Sequence, residues 1–202
     1  MNHLAHVVLA GSDEGLRLGA FLGDHVKGRA ALDELPASWA AGVELHRRID
    51  SLSDAHPAVV GLLERLDTPW RRYGGVIFDV LFDYMLSRHW SRFGPDGLEQ
   101  FGGQIDALLA RHRPRLPKRL VRFSLWAKSR GLWWRYGERE MIEEIFSLLA
   151  RRHGRCWPLA EGARLLDEHE AAIEQAFLAL FPDLLAQMSA ERERLYSTWP
   201  SM

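Results

Sequence analysis

Two aspartates, Asp79 and Asp83, stand four residues apart in the run VIFDVLFDYMLSRHW, from Val76 to Trp90. On a helix this spacing puts both carboxylates on one face, one turn apart. Their neighbours Val76, Ile77, Phe78, Val80, Leu81, Phe82, Tyr84, Met85 and Leu86 are apolar or aromatic, so much of such a helix must be buried. A buried carboxylate is costly unless it is paired, hydrogen-bonded or bound to a metal. No basic residue lies between the two, so a cation must come from elsewhere. It is either an arginine such as Arg47, Arg48, Arg71 or Arg72, or a metal ion. These two residues alone leave both solutions open.

Other candidate ligands crowd the first half of the chain. Six of the nine histidines (His3, His6, His25, His46, His56 and His89) fall within the first 89 residues. His3 and His6 are i,i+3 neighbours; His46 and Asp50 are i,i+4, and Asp54 repeats the step. Asp24 ends a predicted helix in GAFLGDHVKG, where small residues let another backbone approach. Neutral imidazole and carboxylate together suit Mn²⁺, Fe²⁺ or Zn²⁺, and helical bundles build metal centres from inward-facing side chains. Each residue also has an ordinary explanation: an i,i+4 His/Asp pair supports a helix by itself, and His56 before Pro57 belongs to a loop. The concentration of His6, Asp24, His46, Asp50, Asp79 and Asp83 in or beside apolar stretches points to a metal site, with a structural charge network as its rival. Arg47 and Arg48 either neutralise these carboxylates or grip a substrate phosphate with the planar guanidinium fork. Lys27 and Arg29 are placed for the same work.

The elements that must position these groups are all helical. Asn2 caps a short helix, His3 to Ala10, and Ser12-Asp13 caps the next, Glu14 to His25. Pro36 opens a long helix to Ser53. Pro57 starts a short one, and Pro69 starts the long helix bearing Asp79 and Asp83. Ser91 to Gly97 breaks the chain. Further helices are predicted over Leu98–His112, Lys118–Lys128 and Glu138–Arg152, with a short aromatic segment between Gly131 and Gly137. A loop follows at HGRCWP. A helix from Leu159 to Phe181 comes next, and Pro182 starts a last one. No hairpin signal or strand-length alternation occurs, so the fold class is all-α, with about eight to ten helices. No linker is evident, and the expectation is one domain over 1–202, its metal site in 1–92 and supporting helices in 93–202.

Hydrophobic content of 47%, charged content of 26% and a net charge of -1 are those of an ordinary globular protein. The single cysteine, Cys156, rules out an intrachain disulfide and fits a reducing cytosol. The N-terminal stretch lacks the basic segment of a signal peptide, and no run approaches the roughly 18 apolar residues of a spanning helix. A cytoplasmic protein with no membrane segment is expected. The eight tryptophans read first as core.

Four motifs in order, NHLAH, GAFLGDHVKG, LHRRIDSLSDAHP and FDVLFDYMLSRHW, resemble those of the bacterial acyl carrier protein phosphodiesterases. The resemblance is strongest over residues 1–92 and weaker to Leu180-Phe181-Pro182. It implies an all-helical fold distantly like the HD phosphohydrolases and an activity that removes 4′-phosphopantetheine from holo acyl carrier protein, within lipid and fatty acid metabolism. It also implies a divalent metal, Mn²⁺ first, with Fe²⁺ or Mg²⁺ as alternatives. The chain departs from the HD group in having no His-Asp dipeptide. The ligands therefore carry over only from the family's own motifs: His6, Asp24, His46, Asp50, Asp79, Asp83 and His89. The expected metal ligands are Asp24, His46, Asp50, Asp79 and Asp83. His6 or His89 would move a proton, and Arg47, Arg48 or Lys27 would offset charge on phosphorus.

Residues 111–135, RHRPRLPKRLVRFSLWAKSRGLWWR, hold nine Lys or Arg and no Asp or Glu. Arg115, Lys118, Arg119, Arg122, Lys128 and Arg130 form a basic strip suited to dock an acidic carrier protein, steering it more than binding it. A solvated face paired to acidic helices is the alternative. Nucleic acid would suit the same composition, but no nucleic-acid motif accompanies it. Two rival functions are a phosphohydrolase acting on nucleotides or another small phosphodiester, and a non-catalytic helical binding module.

Overall fold

The computed structural model describes residues 1–154 and 157–198. The expectation for Cys156, and part of that for the HGRCWP loop, lie outside the described residues. Among the described residues the secondary structure is helical, with no strand. The helices are α1 His3–Leu9, α2 Glu14–Leu22, α3 Gly28–Asp33, α4 Ala37–Ala55, α5 Pro57–Glu64, α6 Trp70–Arg88 and α7 Trp90–Phe93. There follow α8 Leu98–His112, α9 Lys118–Arg130, α10 Leu132–Arg135, α11 Arg139–Arg152, α12 Trp157–Ala160 and α13 Leu165–Thr198. A continuous apolar core draws on residues from Met1 to Met188. The all-α reading holds.

The caps follow local chemistry. Asn2 Oδ1 accepts from the His3 amide at 2.9 Å, and Asp13 Oδ1 accepts from Leu16 N at 2.8 Å. Each satisfies an amide that the first helical turn leaves without a partner. At His56 the ring Nδ1 takes the amide of Ala58 at 3.2 Å, so this histidine caps α5 directly ahead of Pro57.

The C-terminal helices depart from the sequence reading in two places. No helix runs through from Leu159: α12 is short, and a 3₁₀ turn, Gly162–Arg164, precedes α13. A Cβ on Gly162 would overlap the ring of Phe146, so the chain crosses α11 there at a residue without a side chain. Conversely, no new helix starts at Pro182, because α13 runs through it. Proline within a helix costs roughly 3 kcal/mol. Ile173, Phe177, Leu180, Phe181, Leu184 and Met188 are all buried at helical spacing. Burial of Leu184 and Met188, at about 1.5–3 kcal/mol each, offsets the loss only if the helical register continues past the proline.

Helices α2 and α4 lie close and in step. A Cβ on Gly15 would overlap Ser38, one on Gly19 would overlap Gly42 and the Trp39 carbonyl, and one on Gly23 would overlap the His46 ring. The constant offset means that the two helices run side by side in the same direction. The spacing Gly15, Gly19, Gly23 puts one glycine per turn on the contact face. Its last member opens the space that His46 fills.

Candidate functional site

His6 on α1, and His46 and Asp50 on α4, converge. Their ligand atoms lie within 4.8 Å of one another. His6 Nε2 is 3.0 Å from Asp50 Oδ1, and His46 Nε2 is 3.2 Å from Asp50 Oδ2. The imidazoles stack with centroids 3.9 Å apart and planes 13° apart. Both rings are buried, and Asp50 is half-buried with 41% of its side chain exposed.

The backbone sets how each ring faces. His46 Nδ1 lies 2.8 Å from the Ala20 carbonyl of α2, an acceptor, so Nδ1 carries hydrogen, and Nε2 turns to Asp50, to which it donates when the ring is protonated. His6 Nε2 lies 3.0 Å from the Met1 carbonyl and faces the same carboxylate. Hydrogen therefore belongs on Nε2, which leaves Nδ1 buried with no hydrogen-bond partner. Burial pushes the His6 imidazole down to about 4. Burial also pulls His46 down, but its hydrogen bond to Asp50 and the charges of Asp50 and Asp24 more than offset this and leave it raised. Burial pushes Asp50 up, yet hydrogen bonds from His46 and His6 hold it far below the usual carboxylate range. Two imidazoles and an ionised carboxylate, with one buried ring nitrogen of His6 left without a hydrogen-bond partner, form a donor set that fits a divalent cation.

A cleft of about 440 Å³ opens over this group. Asp24 stands at its mouth just past α2, with Oδ1 4.0 Å from His46 Nε2 and 68% of its side chain exposed. Lys27 and, from α11, Arg152 and His153 bring basic groups to the lining. Leu149 of α11 lines it as well, so the second half of the chain closes a site that the sequence placed wholly within residues 1–92. Asp79 lines the cleft too, with Oδ1 2.5 Å from the Met1 amino nitrogen.

The geometry sets several of the expected site residues apart from the cluster of His6, His46 and Asp50. Asp83 joins neither the cluster nor the cleft lining: it is fully buried, and its carboxylate accepts from the Leu4 and Ala5 amides at 2.7 and 3.0 Å. It caps the start of α1 from across the core. Burial pushes this carboxyl up to about 7, against the pull of those amides. His89 lies outside the cleft lining: Nε2 meets Glu174 Oε1 of α13 at 2.7 Å, and its ring stacks on Phe177. Arg47 donates to the Val26 carbonyl at 2.9 Å, and neither Arg47 nor Arg48 lines the cleft. In the basic strip, Arg130 is paired with Glu144 at 2.7 Å, and Arg115 lies over the Trp39 ring. Lys118, Arg119, Arg122 and Lys128 are exposed on α9. Sequence reasoning gave no role to His3, Tyr136 or Arg152. The helical step from His6 back to His3 was the available signal for the first; nothing local marked the others.

A family model described as acyl carrier protein phosphodiesterase matches residues 1–184. A protein of that name from Escherichia coli O157:H7 (strain EC4115 / EHEC) is 33% identical over 190 residues, spanning 94% of this chain and 98% of the relative. One from Salmonella agona (strain SL483) is 33% identical over 188 residues, 93% and 97% of the two chains. No solved structure matches. With the family model covering most of the chain and these relatives matched nearly end to end, the chain belongs to the acyl carrier protein phosphodiesterase family.

Proposed function

We propose that this protein is a metal-dependent phosphodiesterase that hydrolyses the bond between the carrier-protein serine and 4′-phosphopantetheine, giving apo acyl carrier protein. The observation that carries this reading is the convergence of His6, His46 and Asp50 in an open cleft, in a chain of this family. These three residues would hold the divalent ion, with Mn²⁺ the first choice and Fe²⁺ or Mg²⁺ next. A bound divalent ion supplies a water of lowered pKa and polarises a phosphate oxygen. His6 thus moves from the proton-carrying role to the ligand set, beside His46 and Asp50.

The chain's own groups do the rest. Asp24, exposed at the cleft mouth, takes a proton from the attacking water as hydroxyl adds to phosphorus. It returns that proton to the serine oxygen as the phosphorus–oxygen bond breaks. Lys27 and Arg152 line the cleft and offset the charge that builds on the phosphoryl oxygens. Asp79, held by the Met1 amino group, keeps that ammonium beside the ligand set. The exposed cations Lys118, Arg119, Arg122 and Lys128 form the docking face for an acidic carrier. That feature favours a protein substrate over a free small phosphodiester. A carrier-protein substrate also supports a cytoplasmic reaction, in the turnover of a fatty-acid-synthesis cofactor.

Incubation with holo acyl carrier protein and Mn²⁺, followed by the mass of the carrier, tests the proposal. The expected result is loss of the phosphopantetheine mass, dependent on metal. A carrier of unchanged mass after exposure to metal-loaded protein overturns it.

A further inference from the structure

Beside the cleft lies a second cavity of about 520 Å³. It shares Asn2, His3, Asp24, Leu149 and Arg152 with the cleft, so the two are continuous. Its walls are Leu120, Phe123 and Trp126 of α9, Leu132 of α10, and Ile145 and Leu148 of α11. Polar atoms come at the cleft end, where Asn2 Nδ2 donates to the Tyr136 hydroxyl at 3.0 Å. There the His3 ring packs on Phe123 at 4.4 Å. Burial lowers the His3 imidazole to about 3 and keeps it neutral, while Asp24 and Arg152, which line both cavities, bring the charge at the junction. Arg119 and Arg122 stand at the outer rim, exposed.

We infer that this cavity is the subsite for the pantetheine arm of the substrate. The inference rests on the phosphodiesterase reading, and it names where the non-protein half of that substrate lies. A phosphodiester seated over His6, His46 and Asp50 has two ester arms. One is a serine on a folded protein, which no cavity of 520 Å³ admits. The other is a thin, flexible, uncharged chain with a gem-dimethyl group, two amides and a terminal thiol. Pockets of about 300–1,000 Å³ with apolar walls and a few placed polar groups are suited to such a chain. Apolar walls from α9, α10 and α11 receive its methyl and methylene groups. Asn2 and Tyr136 stand at the junction, where the arm's first amide follows the phosphate. The rim arginines are themselves two of the exposed docking cations of α9, so the carrier and its arm approach along one face.

Calorimetric binding of 4′-phosphopantetheine and of inorganic phosphate to the full, Mn²⁺-loaded chain tests the subsite without turnover. The expected result is that 4′-phosphopantetheine binds about tenfold or more tightly than inorganic phosphate. Leu148→Trp, which places a large ring in the cavity from a partly exposed position, should erase that difference and leave phosphate affinity unchanged. Equal affinities in the wild type, or a difference untouched by the substitution, overturn the subsite. If circular dichroism shows Leu148→Trp misfolded, Trp126→Ala decides by the same ratio: a narrowed difference supports the subsite and an unchanged one overturns it. The carrier mass assay runs alongside on the wild type. Failure there removes the phosphodiesterase reading, while the affinity ratio still reports on the subsite.

Discussion

Asp50 and Asp83 are both aspartates on long helices facing α1, yet they are put to opposite uses. Asp50 accepts from two imidazoles, keeps 41% of its side chain exposed and is held strongly ionised. Asp83 accepts from two backbone amides, is fully buried and is pushed toward its neutral form. The difference lies in the donors. Imidazole nitrogens can pass to a metal and leave the carboxylate exposed to ligand and solvent, whereas helix amides can only be capped. Sequence spacing picked out the Asp79/Asp83 pair of α6 first, whereas the imidazoles gather around Asp50 of α4.

The sharpest way to break this comparison is to neutralise Asp50. Asp50→Asn should lower kcat/KM on holo carrier protein by about 10³-fold or more, roughly 4 kcal/mol, with the helical circular dichroism intact. Manganese retention measured by elemental analysis should fall with it. Near-normal turnover would move the metal elsewhere. Asp83→Ala should do the reverse, because two buried amides lose their acceptor at about 1–3 kcal/mol each. Chemical denaturation should show a loss of roughly 2–6 kcal/mol, while the protein that remains folded keeps its turnover within a few-fold. A loss of activity with stability intact would place Asp83 back in the site.

The same carboxyl gives a pH signature. Its folded pKa is raised from 3.8 to about 7, so the unfolded chain releases the proton first as pH rises. The Asp83 contribution is therefore fully present below about pH 4 and is lost as pH climbs toward 7. Denaturation at several pH values should show wild-type stability falling across that window relative to Asp83→Asn. Parallel curves would contradict the assignment.

Docking should respond more mildly. Lys118→Glu with Arg122→Glu should raise KM for holo carrier protein by about tenfold and flatten its dependence on salt, with kcat little changed. Salt-insensitive turnover by the wild type would remove the docking face. The smallest effect belongs to His89→Gln, which loosens the contact with Glu174. It should cost about 1 kcal/mol of stability and leave turnover unchanged. A loss of turnover in that variant would return His89 to the chemistry.

Much of this molecule was legible in its residues. Helical periodicity and caps gave the all-α class and the starts of α1, α2 and α5 within a residue or so. They failed at Pro182 because local rules weigh a lost hydrogen bond and cannot see the core stripe that carries α13 through it. The i,i+4 step from His46 to Asp50 was readable because both lie on one helix. His6 came beside them only when α1 packed between α2 and α6.

By itself the sequence determined what is local or compositional: a helical chain, a histidine- and aspartate-rich first half, a basic α9, and motifs that mark a family. Only the tertiary structure decided which carboxylate meets the imidazoles and which meets the amides of α1. It also decided that Gly23 makes room for His46 and that α11 closes the cleft. The physical reason is that a carboxylate's role follows from the donors facing it and the water left around it. Both are set by packing between elements far apart in the chain.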